Sequence, residues 1–187
     1  MAEHYDLKRV YINLENDKTI IKNYLVSKGV AEERLVFSAV NFREKTRSKY
    51  SPKGDFMGEE FVGYELTQSV QIESNEVEKI EKISREVTEL LNQGVNFYSE
   101  APRYYYTQLV DLKIEMISKA TEDARIRAEK IAAYYNGELG ALQSAKMGVF
   151  QITGQNSTEN SSWGGTFNTS SRDKTASITM KLVYKVK

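Results

Sequence analysis

The sequence predicts an α+β fold in which helices pack on a mainly antiparallel sheet, with two related helix-then-strand halves. Three observations carry this: a helical apolar period near the N-terminus, an alanine-every-fourth helix in residues 115–140, and a C-terminal segment that alternates apolar with polar residues. The chain has 187 residues, 26 basic and 26 acidic side chains, and no cysteine. A chain of this length buries about 70% of its unfolded surface, enough for a core without covalent staples. The balanced charge creates no global field for a polyanion, so no nucleic-acid partner is expected. The absence of cysteine removes disulfides, thiolate metal ligands and a cysteine nucleophile, and leaves the compartment open. No apolar run approaches the roughly 20 residues of a membrane helix, and MAEHYDLKRV lacks the apolar core of a signal peptide.

Leu7, Val10, Tyr11, Leu14, Ile21, Tyr24 and Leu25 recur at spacings of three and four before Gly29, which predicts an amphipathic helix over 6–28, with a strand at RVYINL as the alternative. Residues 35–42 and 61–72 are rich in β-branched and aromatic side chains and read as hairpin partners. The stretch between them, RSKYSPKGDFMGEE, contains Pro52, Gly54 and Gly58 and reads as their connecting loop. Asn75 and Glu78 have the spacing of a capping box, and Val77, Ile80, Ile83, Val87, Leu90 and Leu91 trace a second helix that ends before Gly94.

The third helix is expected from about Leu109 to Tyr135. Ala120, Ala124, Ala128 and Ala132 form a narrow small-residue stripe on it that lets a neighbouring backbone approach closely, against this chain's own sheet or a second copy. Opposite lie Glu122, Asp123, Arg125, Arg127, Glu129 and Lys130, and Asn136-Gly137 closes the helix, Gly137 being suited to the left-handed conformation. Residues 142–152 and 175–186 read as final strands, the latter placing Ala176, Ile178, Met180, Leu182, Tyr184 and Val186 on one face. Residues 153–174, almost wholly polar, read as a long flexible loop. A weak internal echo links YLVSKGV and ELLNQGV, each followed by strand-like residues.

Chemistry is scarce. His4 is the sole histidine and has no partner in sequence for acid–base work. Tyr98, Tyr104, Tyr105, Tyr106, Tyr134 and Tyr135 have the shape for stacking on sugars or bases, but core packing is the better reading of aromatics at strand and helix ends. Glu122, Asp123 and Glu129 lie among cations on a solvated face rather than as an acid–base pair. Gly148, Gly154 and Gly164-Gly165 build no phosphate loop, and no metal-ligand or nucleophile motif occurs, so no cofactor is expected. Asn156, Asn160 and Asn168 each open an Asn-x-Ser/Thr triplet that a loop of this composition produces by chance. Trp163, isolated amid Gly and Ser, is the candidate contact residue.

Between Asn92 and Phe150 the order of motifs resembles the SIMPL domain family of bacterial exported proteins. Gly94-Val95 follows the second helix, then come Ala120, Ala124, Ala128, Glu129 and Ala132, then Gly137 and Gly140, then GVFQI at 148–152. The glycines are one residue closer than the family's Gly-x-x-x-Gly. The resemblance implies one SIMPL-like domain over 1–187, a place in the periplasm or cell envelope, self-assembly into a homo-oligomer, a stress-related role, and no established catalytic residues. Members begin with a signal sequence and a long strand that this sequence does not show, so additional residues encoding both are expected upstream of Glu3. The leading expectation is a non-catalytic envelope module for binding or self-assembly. Its rivals are a small hydrolase with dispersed carboxylates and a cytosolic adaptor that docks a partner through the alanine-rich helix.

Overall fold

The computed structural model describes residues 1–158 and 164–187. Among the described residues, three helices and nine strands in antiparallel sheets make an α+β fold, in two compact units, Met1–Pro102 and Arg103–Lys187.

In the first unit, β1 (Ala2–His4) leads into α1 (Leu7–Ser27). The Asp6 carboxylate caps α1 by accepting from the Arg9 N–H at 3.0 Å. Val10 and Leu14 of α1 are buried with Ala2 and Leu66; a turn or more further on, Tyr24 and Leu25 join a second cluster with Val30, Ile83, Leu90 and Val95. The apolar stripe of one helix thus serves two clusters. Gly29, at φ 83°, ends α1, with the Val30 N–H donating to the Leu25 carbonyl.

A long interrupted hairpin follows. β2 (Leu35–Phe37) pairs antiparallel with β5 (Val70–Ile72), and β3 (Asn41–Tyr50) with β4 (Phe56–Thr67). The Ser38 N–H donates to the Ser69 carbonyl and bridges the gap between the two sections. Here the expected loop over 47–60 is corrected: most of it is strand, and only residues 51–55 turn. Ser51 and Asp55 exchange backbone and side-chain hydrogen bonds across that turn, and Gly54 takes φ 89° within it. Pro52 and Gly54 therefore mark the tip of a ribbon rather than a broad loop. The position before the first helix, which shows no strand pattern in the sequence, is filled by β1: Ala2, Glu3 and His4 pair with Leu66, Glu65 and Tyr64, giving the sheet order β1-β4-β3.

The second helix, α2 (Val77–Glu86), tightens into 3₁₀ turns over Val87–Gln93 and stops at Gly94, φ 78°. Val95 is buried, but no strand follows it, so the echo anchored on ELLNQGV is corrected. The plan that recurs is helix then interrupted hairpin: α1 with β2–β5, and in the second unit α3 with β6–β9.

In that second unit α3 (Leu109–Tyr134) precedes β6 (Leu139–Met147), β7 (Gln151–Gly154), β8 (Lys174–Ser177) and β9 (Met180–Val186). β6 pairs with β9 and β7 with β8, successive sections of one hairpin joined where the Gly148 N–H donates to the Thr179 carbonyl at 2.8 Å. Ala176, Ile178, Met180, Leu182 and Tyr184 are less exposed than the residues between them, as the alternation predicts, whereas Val186 is exposed. At the end of α3 the left-handed residue is Asn136, φ 55°, not Gly137. Gly137 instead makes room for the neighbouring strand. A Cβ there would stand 2.7 Å from Cγ1 of Val186, so a larger residue would displace the Val186 side chain at the end of β9. Within the polar connection, Phe167 bridges Ile152, whose N–H donates to Thr166 and whose carbonyl accepts from Asn168. Residues 166–168 thus run along β7.

Candidate functional site

The segment with the least structural explanation is the β3–β4 ribbon. β3 reads NFREKTRSKY, and strand alternation puts Arg43, Lys45, Arg47 and Lys49 on one face and Phe42, Glu44, Thr46, Ser48 and Tyr50 on the other. On the charged face β4 and β1 supply acids. Arg43 meets Glu65 at 2.7 Å, Lys45 meets Glu3, and Arg47 and Lys49 each stand 3.6 Å from Glu60. The hydrogen bond from Lys45 holds the Glu3 carboxyl below its ordinary range, against a smaller opposing effect of burial.

Aromatic rings gather on the opposite face. Tyr64 stands 5.6 Å from Phe42 and 5.0 Å from Phe61, Phe61 stands 6.0 Å from Tyr5, and Tyr50 packs edge-on to Phe56 at 5.9 Å near the tip. These rings do not form a buried core: Phe42 is 49% exposed, Phe56 61% and the adjacent Met57 66%. Two register shifts, between Lys45 and Thr46 and between Ser48 and Tyr50, add twist to the ribbon. Sequence reading missed this site because Pro52, Gly54 and Gly58 look like loop punctuation. The signal that would have found it is the strict period of two in Arg43, Lys45, Arg47 and Lys49.

A polar hollow of about 450 Å³ lies elsewhere in the first unit, lined by Met1, Ala2, Glu3, Asn13, Asn16, Asp17, Gly94 and Asn96. Burial raises the Asp17 carboxyl above its ordinary range. His4 sits in β1, where its Nδ1 accepts the Asp6 N–H at 2.8 Å. Among the described residues, no group of three or more His, Cys, Asp or Glu stands together to hold a metal ion.

The alanine stripe is gathered on one side of α3. Ala120, Ala124 and Ala128 are half-buried and Ala132 is 4% exposed, and α3 packs against β9 and β6. Opposite, Asp123 meets Arg127 at 2.9 Å and Arg125 meets Glu129 at 3.7 Å, both exposed. Trp163 and Asn160 lie outside the described residues. The core reading of the tyrosines is corrected: Tyr98, Tyr105, Tyr106, Tyr134 and Tyr135 are exposed, and Tyr104 is half-buried with its N–H bonded to the Thr169 carbonyl. Helix and strand ends offer too little neighbouring surface to cover rings of this size.

No helix among the described residues is long and apolar enough to cross a membrane. No curated protein matches the chain. The family model that does match is described as SIMPL, a protein of unknown function (DUF541), and it spans residues 1–183. With nearly its whole length matched, the chain belongs to the SIMPL family.

Proposed function

We propose that this SIMPL chain is a non-catalytic module of the cell envelope that acts by binding and self-assembly into a homo-oligomer. One observation carries the reading: a ribbon of ten- and twelve-residue strands holds exposed aromatic rings on one face and a charge ladder on the other. Beyond the part that β1 and α1 cover, the ribbon is two-stranded and bare, which is marginal in water, and clustered exposed rings mark contact surfaces. Assembly supplies the neighbours that this ribbon lacks. The envelope location in this reading rests on family resemblance alone.

Light scattering over a range of concentrations tests assembly. The expected result is a mass that exceeds one chain and rises with concentration; a single-chain mass throughout would overturn the reading. Cell fractionation tests the compartment, with recovery in the cytosol as the contrary result. Turnover of generic ester or glycoside substrates above buffer would contradict the non-catalytic part.

A further inference from the structure

We propose that copies of this chain join edge to edge, the outer edge of β3 on one copy pairing antiparallel with residues 56–62 of β4 on the next. The proposal rests on the self-assembly reading and names its surface and its partner, a second copy of this chain.

Among the described residues, no strand covers either edge. In the order β1-β4-β3, β3 is paired on one side only, and β1 covers β4 only at Tyr64, Glu65 and Leu66. Every β3 side chain except Lys45 is exposed. Where β1 leaves β4 a notch of about 400 Å³ opens, lined in part by Tyr5, Lys45, Val62 and Gly63. An unpaired edge offers a row of N–H and C=O groups that a further strand satisfies.

The two edges are not alike, and their charges select the pairing. β3 carries Arg43, Lys45, Arg47 and Lys49 against the single acid Glu44, whereas FMGEEFV of β4 carries Glu59 and Glu60 and no base. Two β3 edges side by side would set basic rows against each other, and like charges directly opposite destabilise a pair. β3 beside β4 of the next copy sets the basic row beside Glu60, the acid of that stretch on the same face, while Glu59 lies on the other face with Thr46. It repeats between copies the arrangement inside each ribbon, where Arg47 and Lys49 flank Glu60. Charge therefore disfavours a symmetric β3–β3 dimer and favours head-to-tail joining. Each added copy presents the same two free edges, so the assembly closes into a ring or extends as a filament.

Because the chain has no cysteine, each introduced cysteine is unique. Single-cysteine variants at Thr46 or Ser48 on β3 are mixed, at dilution, with variants at Met57 or Glu59 on β4, then concentrated and mildly oxidised. Adjacent strands bring Cα atoms to about 4.5–5.5 Å, within disulfide reach. Strands two apart, at about 9.5 Å, are out of reach. The expected result is a disulfide-linked pair of chains in at least one mixture and none from any variant by itself. Cross-linking of a β3 variant with itself, or no cross-link in any mixture while the unmodified protein assembles, overturns edge joining and leaves the assembly reading standing. A single-chain mass for the unmodified protein overturns both.

Discussion

A β-carbon added to Gly63 would stand 3.0 Å from the carbonyl oxygen of His4. Gly63 also holds φ 138°, a conformation that side-chain-bearing residues rarely adopt, next to a register shift in the β3–β4 pairing. The backbone of β1 therefore crosses β4 at a point that only glycine leaves open. Gly63→Ala is expected to destabilise the chain by about 1–3 kcal/mol, combining backbone strain with a displaced β1. Urea unfolding measures it, and an unchanged midpoint would show that β1 contributes nothing to stability.

The end of α1 is tied to the second helix by charge. Lys28 Nζ donates to Glu86 at 2.9 Å and to Glu89 at 3.2 Å while lying 5.0 Å from the centre of the Tyr24 ring. The bonds to Glu86 and then Glu89 raise the Lys28 pKa, and the bond from Lys28 lowers that of Glu86. The signs are opposite in effect. The contribution of Glu86 is present above its ordinary 4.5 and is lost as pH falls through its lowered folded value. That of Lys28 is present below its ordinary 10.5 and is lost as pH rises through its raised folded value. Lys28→Met is expected to flatten the acid side of the stability curve, read as unfolding midpoints between about pH 2 and pH 7. A parallel downward shift at every pH would mean that the lost contacts are packing alone.

Burial along α3 grades the alanine stripe, with Ala132 the most covered. Ala132→Leu is expected to overpack the contact with the sheet and cost about 1–3 kcal/mol, with Ala124→Leu costing less. Equal and negligible effects at both positions would detach the stripe from the stability of the second unit.

Leu90 is 1% exposed in the cluster with Tyr24, Leu25, Val30, Ile83 and Val95. Leu90→Ala is expected to lose about 2–5 kcal/mol, the transfer free energy of the side chain plus that of the cavity left behind. Its neighbour Leu91 is 54% exposed, and Leu91→Ala should leave the midpoint nearly unchanged. A reversed order would place the core face of the 3₁₀ segment on the wrong side.

Chelation is expected to leave the melting temperature where it was. A large fall would reveal a bound metal, since a ligand held by the native state stabilises it by mass action.

Local pattern determined the α+β class, both long helices and the alternating C-terminal strands. Each of these buries one face, and burial writes a period of 3.6 or 2 into the apolar residues. Leu7 to Leu25 and Ala176 to Tyr184 could therefore be read directly. The outer ribbon, residues 43–60, could not, because its largely exposed strands carry no apolar alternation, only the alternating charges of Arg43 to Lys49, and Pro52 and Gly54 punctuate the turn. β1 is too short to have a period at all. It exists because Ala2, Glu3 and His4 find Leu66, Glu65 and Tyr64, partners far away in sequence. The left-handed turn at Asn136 rather than Gly137 is likewise a tertiary decision: Gly137 lies where a side chain would meet that of Val186. Periodicity records which face of an element is buried, whereas strand pairing, close backbone approach and open edges depend on distant residues that no local pattern encodes.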